Sequence, residues 1–240
     1  MQRYRLIDLT HAYDSQTLYW PSRPPMKFEL EQLAHGDTPG GFFYSANRFC
    51  TAEHGGTHLD APIHFHRDAK AADQLALDQL VAPAVQIDVR AQAQKDRNYR
   101  LTRDDVLAFE KRHGAIRPGT IVLLQTGWSR HWPNRKEYFG DASTEDASKL
   151  EFPSYGDDAA RLLVQERKAA MLGVDTASID YGRSKDFQVH RIAAAGGVGG
   201  LENLTQLDQL PETGFVVVAL PMKIAGGSGG PVRVIALVPR

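Results

Sequence analysis

Between His54 and His66 the chain places four of its nine histidines in 13 residues, where even spreading would put about half of one. The segment reads Glu53-His54-Gly55-Gly56-Thr57-His58-Leu59-Asp60-Ala61-Pro62-Ile63-His64-Phe65. His54 and His58 have helical spacing, but Gly55, Gly56 and Pro62 disfavour a helix. In an extended chain His58 and Asp60 project to the same side about 6.6 Å apart, within reach of one metal ion, whereas His54 and His64 would stand roughly 33 Å apart. The backbone must therefore bend, and the glycine pair and the proline permit it. A chain of 240 residues buries roughly 70–75% of its unfolded surface without help from a metal or a disulfide, so folding does not demand this cluster. Imidazole and carboxylate donors together suit Zn²⁺, Mn²⁺ or Fe²⁺. The cluster is read as a metal site rather than as surface or core histidines.

Composition excludes several other functions. Lys and Arg number 28 and Asp and Glu 29, a formal charge of −1. That balance argues against nucleic acid and membrane surfaces as partners and suits a small, weakly charged substrate. The longest apolar run, Phe215 to Leu220, is far short of the ~20 residues a membrane helix needs. Asp8 interrupts the apolar start, so no signal peptide is expected. One cysteine, Cys50, forms no internal disulfide and fits a reducing, cytoplasmic compartment. It lies in an apolar strand and is expected to be buried.

Eight segments read as strands: Arg5–Leu9, Lys27–Leu33, Phe42–Cys50, Ala84–Val89, Thr120–Thr126, Ala170–Asp175, Phe215–Leu220 and Val232–Val238. They are short, rich in Val, Ile, Leu and Phe, and bounded by Gly or Pro. One helix is expected after Thr102, with Asp105 three residues on, Val106, Leu107 and Phe109 facing inward and Gly114 as its stop. A second is expected after Ser154 as cap, with Asp157 and Asp158 in its first turn and Leu162, Leu163 and Val164 inward. Weaker helical patterns cover Gln74–Val81, Phe187–Ala195 and Leu201–Leu210, and the polar stretch Trp132–Glu151 reads as a long loop. These elements predict an α/β fold, a mixed β-sheet core packed by helices, in a single domain over residues 1–240.

The histidine segment resembles the motif of the cyclase family of metal-dependent hydrolases, which includes bacterial kynurenine formamidases and isatin hydrolases. The resemblance runs from Asp8-Leu9-Thr10 and Trp20-Pro21 through Gln125-Thr126-Gly127-Trp128 and Gly173-Val174-Asp175-Thr176-Ala177-Ser178-Ile179-Asp180. It continues to His190, Glu202-Asn203-Leu204 and Gly226-Gly227-Ser228-Gly229-Gly230-Pro231-Val232-Arg233. It implies a cyclase-like (swivelling β/β/α) fold and one or two divalent ions, Zn²⁺ or Mn²⁺. In two-metal members the residues matching His54, His58 and Asp60 hold one ion. Those matching Asp60, His64, His190 and Glu202 hold the other. Isatin hydrolases carry a glutamine where this chain has Glu202, which leans toward two ions here. Gly55-Gly56-Thr57 and Pro39-Gly40-Gly41-Phe42-Phe43-Tyr44 depart from the formylkynurenine-specific pattern. The family also implies a homodimer or homotetramer.

A bound divalent ion lowers the pKa of coordinated water toward 7 and polarises a carbonyl, which suits hydrolysis of an aryl formamide or cyclic amide such as N-formylkynurenine or isatin. His64, His190 and Glu202 are the candidates for moving the proton to the leaving nitrogen. Trp20 and Phe65 fit either an aromatic wall for a planar substrate or ordinary core. Ser228 sits in a glycine-rich stretch that fits a plain turn and a loop reaching the site equally well. Gly196-Gly197-Val198-Gly199-Gly200 lacks the dinucleotide-binding spacing and reads as a loop delivering Glu202. His66 is expected at the surface, and His11, His35, His113 and His131 receive no role. Two other readings compete: a non-haem iron oxygenase using His58, Asp60 and His190, and a metal-binding protein without catalysis.

Overall fold

Six of the eight apolar segments become strands of one sheet in the computed structural model, which describes residues 3–240. In chain order the strands are β1 (Tyr4–Asp8), β2 (Glu29–Asp37), β3 (Phe43–Cys50), β4 (His58–Asp60), β5 (Val81–Asp88), β6 (Arg100–Leu101), β7 (Ile121–Gln125), β8 (Ser154–Tyr155), β9 (Met171–Val174), β10 (Gly199–Glu202), β11 (Phe215–Pro221) and β12 (Gly229–Pro239). The helices are α1 (Leu77–Leu80), α2 (Arg90–Lys95), α3 (Arg103–His113), α4 (Arg135–Phe139), α5 (Asp157–Arg161) and α6 (Gln188–Ala195). Strands β12, β11, β5, β7, β9, β10 and β4 pair in that order, and β4 pairs back onto β12. Seven strands thus close on themselves, and β1 continues along the β4 side of β12. The run β5-β7-β9-β10 is parallel and the remaining pairs are antiparallel. This is the mixed α/β class expected from the sequence. Among the described residues no helix is long and apolar enough to cross a membrane.

Strand β7 is buried at every position because both of its faces are covered, as parallel strands require. Ile121 and Leu123 join one core layer with Leu59, Leu201, Val217 and Val234. Val122 and Leu124 join another with Val106, Phe109, Leu163 and Val189 from the helices. Helix α3 starts where expected: the Thr102 hydroxyl accepts from the Asp105 amide while Asp105 accepts from the Thr102 amide at 2.8 Å. Its inward residues are Val106 and Phe109; Leu107 is exposed.

Several expectations need correction. Ser154 caps no helix. It lies in β8, wholly buried, with its hydroxyl 2.7 Å from the Ser178 and Ile179 carbonyls, and Gly156 precedes α5. The stretch 132–151 is not only loop. Asn134 caps α4, whose Tyr138 and Phe139 join Leu150, Phe152 and Trp128 in a third buried cluster. Its polar residues face out and its few aromatics all face in, so mean polarity misleads. The 74–81 pattern breaks into a 3₁₀ turn (Ala72–Gln74) and the single turn α1, because Val81 already begins β5. The 201–210 pattern is overridden by the sheet: Leu201 and Glu202 end β10, and only Leu207–Gln209 coils. Cys50 is exposed, not buried, because β2 and β3 form a separate two-stranded hairpin.

His11, without a role in the sequence reading, stacks on Trp132 with ring centroids 4.2 Å apart. Its Nε2 is buried without a partner, and burial pushes the imidazole down to about 4. Above pH 6.5 the ring is neutral folded or unfolded, so its contribution is fully present. As pH falls from 6.5 toward 4 only the unfolded chain takes the proton, and stability is lost, by about 3 kcal/mol at the limit. His11→Phe keeps the stack and removes the nitrogen. Denaturant melts of both proteins between pH 7 and 4 should show a shallower acid loss for the variant; parallel curves would refute this.

Candidate metal centre

Strand β4 is three residues long and is held on both sides. His58, Leu59 and Asp60 lie opposite Glu202, Leu201 and Gly200 of β10, and opposite Pro231, Gly230 and Gly229 of β12. Alternation sends Leu59 into the core and His58 and Asp60 to the other face, as the His-x-Asp spacing predicts. The register places Glu202 beside His58, with their side chains 3.5 Å apart. Both cross-strand neighbours of Asp60 are glycines, and a Cβ on Gly200 would stand 3.3 Å from Asp60 Oδ2. His190 comes from α6.

Two groups of three donors result, each with its ligand atoms within 4.8 Å of one another: His54, His58 and Asp60, and Asp60, His190 and Glu202. Asp60 belongs to both. Its Oδ1 lies 2.6 Å from His54 Nδ1 and 3.2 Å from His58 Nε2, and its Oδ2 lies 3.2 Å from His190 Nε2. Glu202 Oε1 is 3.2 Å from His190 Nε2 and accepts from the Ile179 amide at 2.8 Å. His64 is in neither group. Its ring stacks on His54 at 3.8 Å and stands 6.1 Å from His190, on the exposed side of the cluster.

The outer hydrogen bonds fix which nitrogens face inward. His58 Nδ1 is 3.0 Å from the Gly56 carbonyl, which only accepts, so Nδ1 carries the hydrogen. The Asn203 amide donates to that same carbonyl at 2.8 Å, and the Tyr138 hydroxyl donates to Asn203 at 2.9 Å. His190 Nδ1 is 2.7 Å from Asp180 Oδ2, and Asp180 also accepts from the Val189 and His190 amides. In the neutral rings the inward nitrogens of His58 and His190 would be lone pairs facing carboxylate oxygens, so positive charge is needed between them, either a proton on the ring or a cation. The titration behaviour says the same. Burial alone would push His58 down, but Asp60 and Glu202 outweigh it and hold the ring up, at about 9. Burial likewise opposes the charge on His190, and its bonds to Asp180, Asp60 and Glu202 hold it well above the usual range. Asp60 stays well below the usual carboxylate range because His58, His190 and His54 overcome its burial. Burial and the charge of Asp60 push Glu202 up. A donor set of neutral imidazoles and carboxylates that draws in positive charge fits a divalent cation.

Beside the cluster, Phe65 lies 4.4 Å from the His190 ring and 5.4 Å from Phe187. Phe187 lies 6.1 Å from Trp20, which meets Phe139 and Phe152 edge-on. Ser228 does reach the site: its Oγ is 2.8 Å from His54 Nε2. Glu202 is delivered by β10 rather than by a loop, since residues 199–202 are strand. His66 is exposed as expected. Sequence reasoning missed the roles of Glu53, Asp180, Phe187 and Asn203. Asp180 and Asn203 lay in quoted segments, but their partners are settled only by tertiary contact. Phe187 had a local signal, its place at the start of the helix that carries His190.

The Cyclase family model matches residues 7–181. Isatin hydrolase from Roseibium aggregatum is 30% identical over 222 residues, which span 89% of this chain and 82% of that protein. Kynurenine formamidase from Salinibacter ruber is 26% identical over 230 residues, 96% of each chain. The solved structure of isatin hydrolase A from Ralstonia solanacearum matches with a TM-score of 0.89 at 34% identity, covering 99% of this chain and 93% of that one.

Proposed function

The chain belongs to the cyclase family, and from that membership we propose that it is a metal-dependent hydrolase of an amide-type C–N bond in a small aromatic molecule, an aryl formamide or a cyclic amide such as isatin. The observation that carries this reading is the convergence of histidine ring nitrogens on two carboxylates, Asp60 being shared by two donor groups. His54, His58 and Asp60 would hold one ion and Asp60, His190 and Glu202 a second, with Zn²⁺ or Mn²⁺ suited to such donors. A bound ion supplies Lewis-acid polarisation of the carbonyl and acidifies water. His64 stands outside both groups, so its ring is left to carry a proton to the leaving nitrogen. Phe65, Phe187 and Trp20 offer a wall for a planar ring. An oxygenase built on His58, Asp60 and His190 leaves His54 and Glu202 without purpose.

The test is turnover by the metal-loaded protein of isatin, N-formylkynurenine, simple N-formyl anilides and lactones. Ring opening or deformylation, lost on chelation and restored by Zn²⁺ or Mn²⁺, is expected. Full metal loading without turnover of any of these would favour a binding protein. Iron with activity that needs a keto-acid would favour the oxygenase.

The same reading takes residues 1–240 as one domain, acting in the cytoplasm as a homodimer or homotetramer. A lone free cysteine supports the reducing compartment. The β2–β3 hairpin supports self-association. Leu30, Leu33, Phe43, Tyr44 and Phe49 are all at least half exposed on it, although a lone two-stranded hairpin is marginal in water. Leu33→Glu with Phe43→Glu should convert an assembly into monomers in sedimentation velocity. An unchanged sedimentation coefficient would remove the hairpin from the interface.

A further inference from the structure

Each inward histidine is held from behind, and the hold on His54 is the unusual one. His58 leans on a backbone carbonyl and His190 on a carboxylate, as described above. Behind His54 stands a serine, and behind the serine a second acid. Ser228 Oγ is 2.8 Å from His54 Nε2 and 2.6 Å from Glu53 Oε2, and the Ser228 amide donates to that same oxygen at 3.1 Å. The arrangement is built in the backbone too: a Cβ on Gly227 would stand 2.7 Å from Glu53 Oε1, so glycine there makes room for the acid.

With Glu53 as a carboxylate, one set of directions satisfies this chain of bonds. An ionised Glu53 only accepts, and a serine hydroxyl has one hydrogen. Ser228 must therefore donate to Glu53, which leaves its oxygen lone pair to accept from His54 Nε2–H. In the neutral ring a hydrogen on Nε2 leaves Nδ1 as the lone pair, and it is Nδ1 that faces Asp60 at 2.6 Å, where a cation would sit between them. The serine–histidine–aspartate order superficially matches that of a nucleophilic triad. Glu53 excludes that role, because the serine hydrogen already points away from the histidine.

We propose that Glu53 and Ser228 are positioning residues that fix His54 as the Nε2–H form and aim its Nδ1 at the shared side of the metal centre. This rests on the metal-dependent reading above. Outer partners of this kind are worth 10–100-fold in metal affinity or activity. Because the two residues act as one chain, their effects should not add.

The experiment is Zn²⁺ affinity of the full chain by chelator competition for wild type, Ser228→Ala, Glu53→Ala, the double variant and Ser228→Thr, with metal-free thermal melts alongside. Each alanine variant should bind zinc about 10–100-fold more weakly, and the double variant should be no worse than the weaker single one. Ser228→Thr, which keeps the hydroxyl, should recover most of the affinity. Wild-type affinity in Ser228→Ala and Glu53→Ala, or additive losses that threonine does not rescue, would overturn the proposal. If Ser228→Ala fails to fold, Glu53→Ala and the threonine variant decide it. Wild type that binds no zinc or manganese would instead overturn the metal-dependent reading itself, so the two failures are distinct.

Discussion

Asp60→Ala is expected to take metal content to background and hydrolysis with it. Among the described residues no other side chain belongs to both donor groups, and the two oxygens of Asp60 face different histidines. Losing it leaves His58 and His190 with Glu202 as their one shared carboxylate and removes the carboxylate that faces His54. His58 and His190 would lose part of what holds them protonated in the metal-free protein. Removing one member of a buried charged group costs about 3–5 kcal/mol. Asp60→Asn separates the two effects, since it keeps the shape and loses the charge. Elemental analysis after dialysis, with turnover on the same sample, checks the outcome. Stoichiometric metal retained in Asp60→Ala would contradict the shared-ligand assignment.

Gly229→Ala is expected to have the next largest effect, through the sheet closure rather than the chemistry. Gly229 lies opposite Asp60 where β12 meets β4. A Cβ there would intrude on the Leu59 carbonyl oxygen and stand 2.7 Å from His54 Cε1. One neighbour is backbone and the other is a ring already held at both nitrogens, so neither yields cheaply. Overpacking of this kind costs about 1–3 kcal/mol or more, roughly 2–10 °C in Tm for a chain of this size. A misplacement near 1 Å at His54 should also cost about 100-fold in kcat. Gly230→Ala is the control: its Cβ would meet nothing closer than 3.5 Å, and it should keep both Tm and activity. Equal behaviour of the two variants would show that the closing pair tolerates a side chain.

Much of the site was legible because it is local. His58-x-Asp60 states its own geometry once the strand is granted, and the glycines before it and the proline after it announce the bend that brings His54 back. The strands legible in advance, such as β7 and β9, are buried on both faces and therefore written as unbroken apolar runs. What was hidden depends on partners far along the chain. Strand β4 is too short to show a period, and it is strand only because β10 and β12 flank it. The 201–210 pattern reads as helical because periodicity cannot see that its first residues, Leu201 and Glu202, pair with Leu59 and His58. Ser154 had the right chemistry for a cap but found carbonyls of the 178–179 segment instead. Cys50 is exposed because its apolar strand lies in a two-stranded hairpin with no core to face.

The three-residue strand also sets the order in which the protein can come to life in a cell. Residue 60 pairs with residues 200 and 229, so a nascent chain carries His54, His58 and Asp60 long before the strands that clamp them exist. Pairings of such separation form late. His190, Glu202 and Ser228 are likewise made late, and the full donor set arises with the last closure of the sheet. Metal uptake therefore follows folding rather than seeding it.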